Sequence, residues 1–68
     1  MSVALHIKDG WERLDQPGRY LVYRSFEADG MLYGHEMECN NPAYGVNQLD
    51  EWQDVVLRRI ESKRKMAA

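Results

Sequence analysis

Val3, Leu5 and Ile7 alternate with small or polar residues at the start of the chain, and the pattern then breaks at Gly10 and again at Asp15-Gln16-Pro17-Gly18. A period of two marks a half-buried strand, so the chain is expected to open with a short strand or extended arm. Trp11 and Leu14 follow at a helix-like spacing, but Gly10 and the Asp-Gln-Pro-Gly run reduce this stretch to a loop or a single helical turn. The next segment holds two β-rich runs around Asp29-Gly30, the dipeptide that favours a type I′ hairpin turn. With Asp29 and Gly30 as the central turn residues, Ala28 faces Met31, Phe26 faces Tyr33, Arg24 faces His35, Val22 faces Met37 and Tyr20 faces Cys39. These positions gather the apolar residues on one face. The opposite face carries Leu21, Tyr23, Ser25 and Glu27 against Leu32, Gly34, Glu36 and Glu38, a mixed surface expected to be solvated or partly covered.

From Asn47 onward the period changes to that of a helix. Asn47 is the expected N-cap, with Asp50 three residues on as a variant capping box, and the helix is predicted over 48–65. Asp50, Glu51 and Asp54 would fall in its opening turns and Arg58, Arg59, Lys63, Arg64 and Lys65 at its end, each sign matching the helix dipole. Leu49, Trp52, Val56 and Ile60 form one apolar stripe. Val55 and Leu57 widen it to about 200°, more than one hairpin can cover. A two-stranded hairpin is marginal by itself, so its apolar face must pack on the helix. The predicted fold is therefore α+β: one small domain over 1–68, an antiparallel hairpin on one long C-terminal helix (ββα), with the N-terminal arm a candidate third strand. The helix flank left over predicts a homodimer formed through Trp52, Val55, Val56, Leu57 and Ile60.

Composition sharpens this picture. A chain of 68 residues with 44% hydrophobic content builds only a small core. The single cysteine, Cys39, excludes an internal disulfide and gives no CxxC spacing for zinc, which leaves self-association as the staple. Nine basic and eleven acidic residues give a net charge of -2, unlike a chain devoted to neutralising phosphates. The N-terminus lacks the basic start and apolar run of a signal peptide, and no window is apolar enough to span a membrane, so a cytoplasmic setting is expected.

Candidate chemistry is sparse. His35 beside Arg24 and Glu36 could be imagined as a general base, but no Ser, Cys or second acid stands where it would orient the ring. His6, His35 and Cys39 are scattered and lack metal-ligand spacing, so no metal or other cofactor is expected. Cys39, at the end of a strand on the apolar face and near Glu36 and Glu38, reads as a small core hydrophobe. Enzymatic activity and a small-molecule substrate are not expected, because so short a chain has difficulty enclosing a pocket. The richer signals concern macromolecules. Tyr23 and Leu32 with Glu36 would form an exposed patch of the kind that binds proteins, and Trp11, Arg13 and Arg19 would surround the Asp-Gln-Pro-Gly turn as a second group of interface-type residues. The cluster Arg58, Arg59, Lys63, Arg64 and Lys65 could grip phosphates, although its placement at a helix end is explained by the dipole alone.

In size and layout, though not in any motif, the chain resembles the compact acidic proteins of bacteriophages and prophages that bind and inhibit host machinery. The resemblance implies a bacterial protein partner and assigns no residue. The expected function is thus a small protein-binding module, an inhibitor or regulator of such a partner. The alternative is a nucleic-acid accessory protein that uses the basic helix end.

Overall fold

The computed structural model describes residues 5–67, with side chains from Lys8 to Met66. Three strands, β1 (Leu5–Arg13), β2 (Tyr20–Ala28) and β3 (Met31–Cys39), form an antiparallel sheet in the order β1-β2-β3. One helix, α1 (Pro42–Ala67), packs on a single face of it, mainly over β2 and β3. The α+β architecture is the expected one, and the N-terminal arm does supply the third strand.

The β2–β3 hairpin has the register that its turn dictates, from Ala28 opposite Met31 to Tyr20 opposite Cys39. Asp29 and Gly30 both have positive φ, 55° and 76°, as a type I′ turn requires. The β1–β2 connection departs from expectation. The strand does not stop at Gly10 but runs through it to Arg13, so Trp11 is a strand residue opposite Val22. Gly10 permits this because it takes φ 155°, a conformation side chains avoid, and because the Tyr23 ring lies across it. Gln16-Pro17-Gly18-Arg19 then makes the turn. The Arg19 N–H donates to the Gln16 carbonyl at 3.2 Å, with Pro17 and a positive-φ Gly18 in the two central places of a type II turn. Towards its start, β1 carries a bulge between His6 and Lys8. Val3 lies outside the described residues, as do the side chains of Leu5, His6 and Ile7.

The helix begins earlier than the period suggests. Asn41, not Asn47, is the N-cap: its Oδ1 accepts the Ala43 N–H at 3.0 Å, and Pro42 occupies the first helical position, where a missing N–H costs nothing. Asn47 lies inside the helix. The first turn consequently holds no acidic residue, and Asp50, Glu51 and Asp54 sit in the middle turns, while Arg64 and Lys65 do close the last turn. Gly45 is helical and buried, placed where a side chain would collide with Val22 and Cys39.

The core has two parts. Val22, Cys39 and Leu49 form one, flanked by Tyr20, Met37 and Val46; Phe26, Ala28 and Ile60 form the other, flanked by Tyr33, Val56 and Leu57. Trp52 touches both, meeting Phe26 edge-on at 5.3 Å. Between them on β2 stands Arg24, only 8% exposed. Its Nη1 donates to Asp50 Oδ1 at 2.5 Å and to Gln53 Oε1 at 3.1 Å, and Asp9 Oδ2 lies 3.7 Å from Nη2. Desolvating the guanidinium is offset by these acceptors, although among the described residues its Nε has no partner. At the far end, Arg64 pairs with the carboxylate of Asp29 and ties the last helical turns to the hairpin turn.

Candidate functional site: the open face of the sheet

Because α1 lies on one side of the sheet, the other side carries no layer among the described residues. Strand parity decides what it shows. On β2 it presents Leu21, Tyr23, Ser25 and Glu27; on β3 it presents Leu32, Gly34, Glu36 and Glu38; on β1 the positions opposite Ser25, Tyr23 and Leu21 are Lys8, Gly10 and Glu12. Leu32 is 66% exposed, and the four glutamates face solvent. Tyr23 is half-buried, held between Gly10, whose missing side chain makes room for it, and Lys8, whose Nζ sits 4.8 Å from the ring centroid. The ring is therefore fixed before any partner arrives. Lys8, Glu12, Leu21, Tyr23, Gly34 and Glu36 border a shallow depression across the middle of this face. With one lysine against Glu12, Glu27, Glu36 and Glu38, the face is acidic, with Tyr23 near its middle and Leu32 beside the hairpin turn.

The six expected partner-binding residues do not come together. Tyr23, Leu32 and Glu36 share the open face. Trp11 lies on the opposite, helix-bearing side at the uncovered β1 edge, packed edge-on to Tyr20 at 5.5 Å and otherwise half open to solvent. Arg13 ends β1 and Arg19 closes the turn that follows it, at the end of the sheet. Leu21 takes its expected place on this face, whereas Lys8 and Glu12 are additions that the pattern of apolar residues does not predict. The signal was present in the continuing alternation Lys8, Gly10, Glu12, which Gly10 disguised as a loop.

The other expected sites divide similarly. Of the five residues expected to pair two copies, Trp52, Val56, Leu57 and Ile60 are packed against the chain's own sheet, and only Val55 is exposed. In the basic cluster, Arg58 is paired with Asp54 at 2.8 Å and Arg64 with Asp29, which reduces the field the cluster can offer a phosphate. Arg59 and Lys63 border a groove floored by Met31, Tyr33, Val56 and Ile60. His35 stacks at a tilt on Trp52, ring centroids 5.3 Å apart, and Cys39 is buried with its Sγ donating to the Asn41 carbonyl at 3.2 Å. Among the described residues, no three of His, Cys, Asp and Glu converge on a common point, and no helix is long and apolar enough to cross a membrane.

Comparison of the chain with protein-family models, with curated proteins and with solved structures finds no match.

Proposed function

We propose that the chain is a small cytoplasmic protein-binding module that lays the open face of its sheet on a bacterial protein and inhibits or regulates it by covering a working surface. The observation that carries this reading is Leu32, two-thirds exposed on a face that also holds the pinned ring of Tyr23 and is ringed by four glutamates. An aromatic and an aliphatic anchor within a charged rim is the anatomy of an interface centre. A sheet face with its main ring already immobilised loses little conformational freedom on binding. The matching partner surface has an apolar depression bordered by lysines or arginines, since the glutamates repel acidic surfaces and phosphate backbones alike.

The test is affinity capture from a bacterial lysate by the tagged chain, alongside the Tyr23→Ala/Leu32→Ala variant. A stoichiometric protein partner retained by the native chain and lost by the variant is expected, with circular dichroism showing the variant folded. Equal retention by both chains overturns the assignment to this face. Nuclease-sensitive recovery that survives the double substitution and is lost in Arg58→Glu/Arg59→Glu would instead establish nucleic-acid binding at the helix end.

A further inference from the structure

The large apolar side chains that α1 leaves in solvent are Tyr44, Val55 and Met66, respectively 54%, 43% and 85% exposed. They are evenly spaced, eleven residues apart. Eleven residues make three helical turns to within a small fraction of a turn, so the three share one stripe that runs almost straight along the axis. The stripe lies about 100° around the helix from Val56, on the side where Trp52 meets His35 of β3. It therefore points sideways over the outer edge of β3, which among the described residues has no neighbour beyond it in the sheet. Met31, itself exposed, sits below the same flank.

We infer that this lateral face binds a second copy of the chain, through an antiparallel helix pair whose two-fold axis passes beside Val55. In such a pair, residues equally distant from Val55 on either side meet across the axis. Eleven residues away, Tyr44 meets Met66 of the partner subunit. Four residues away, Glu51 meets Arg59 of the partner subunit. Seven residues away, the neutral Gln48 meets Ser62 of the partner subunit. Each match occurs twice by symmetry, no like charges oppose one another, and a small valine stands at the axis, where helices approach to about 8–10 Å. The stripe is thus self-complementary in both apolar contacts and charge. A stripe serving an unrelated partner has no reason to be. This seam is separate from the open sheet face and leaves that face free.

The test is the mass in solution, by light scattering and sedimentation at micromolar concentration, of the native chain, of Arg59→Glu, of Glu51→Arg and of the Glu51→Arg/Arg59→Glu exchange. All three changes are at exposed positions, and circular dichroism verifies folding. The native chain is expected at twice its 8.0 kDa mass. Each single reversal acts at two places across the axis and should weaken association at least about tenfold, and the exchange should restore it. A native chain that stays at 8.0 kDa overturns the inference. So does a dimer indifferent to both single reversals, or one that the exchange fails to rescue.

Discussion

Replacing Gly45 by alanine sets two physical effects against each other. In an exposed helix interior the change gains about 1 kcal/mol, because glycine loses more backbone freedom on folding. At this position a Cβ would stand 2.5 Å from Val22 Cγ2 and 3.0 Å from both Val22 Cβ and Cys39 Sγ. Carbon atoms in favourable contact are about 3.5–4.0 Å apart, so the helix must lift or Val22 must leave its rotamer. Val22 is fully buried and β-branched, hence stiff, and overpacking of this kind costs about 1–3 kcal/mol. The encroachment exceeds an ångström, which places the cost near the upper end and the net loss at about 2 kcal/mol. For a domain of this size that lowers Tm by roughly 8–16 °C, readable in a thermal melt followed by circular dichroism. Gly34→Ala is the control, since its Cβ meets nothing nearer than 3.8 Å and should be neutral or slightly stabilising. Val22→Ala removes the nearest of these atoms and leaves the two contacts at 3.0 Å, so the double variant should be less destabilised than the sum of the single ones. An unchanged or raised Tm for Gly45→Ala would refute the close approach of helix and sheet described above.

Gly10→Ala is expected to lose about 1–3 kcal/mol in urea unfolding, from its φ of 155° and the Tyr23 hydroxyl 3.1 Å from the new Cβ; a neutral result would mean that β1 does not pass beneath that ring. Asn41→Ala removes the cap from the Ala43 N–H and should cost about 1 kcal/mol, whereas Asn47→Ala, in mid-helix, should be neutral or stabilising. Asp50→Ala strips Arg24 of its nearest acceptor. Because Asp50 is itself more than half exposed, the loss is about 1–2 kcal/mol, while Arg24→Met, which removes the buried charge altogether, should stay within about 1 kcal/mol of the native chain; the opposite ranking in chemical denaturation would contradict the role given to this pair.

What the amino-acid pattern disclosed, and what it concealed, follows from how local each cause is. Asp29-Gly30 dictates a two-residue turn, and once the turn is known parity assigns every β2 and β3 side chain to a face; the open face with Tyr23, Leu32 and Glu36 was legible for that reason. The failures occur at two glycines whose purpose is tertiary and at a proline that opens the helix. Gly10 looks like a strand breaker until Tyr23 is seen lying across it, and Gly45 looks like a loop residue until Val22 is seen against it. Pro42 is the first residue of the helix, and an expected start six residues later, at Gln48, leaves Tyr44 outside it. The even spacing of Tyr44, Val55 and Met66 was hidden with it. Arg24 followed the apolar alternation of β2, yet nothing local announces that Asp50 and Gln53, more than twenty residues later, would receive it.

The order of the strands in the sheet is also their order in the chain, and the helix follows β3 after only Asn40 and Asn41. Every element thus lies against one synthesised just before it, while the core contacts of α1 with β2, such as Leu49 with Val22 and Ile60 with Phe26, close across the whole of β3. The core is built from β2, β3 and α1, while β1 is attached chiefly through its pairing with β2. Amide protons of β1 are accordingly expected to exchange by local opening, ahead of those of β2, whose release requires the whole domain to unfold.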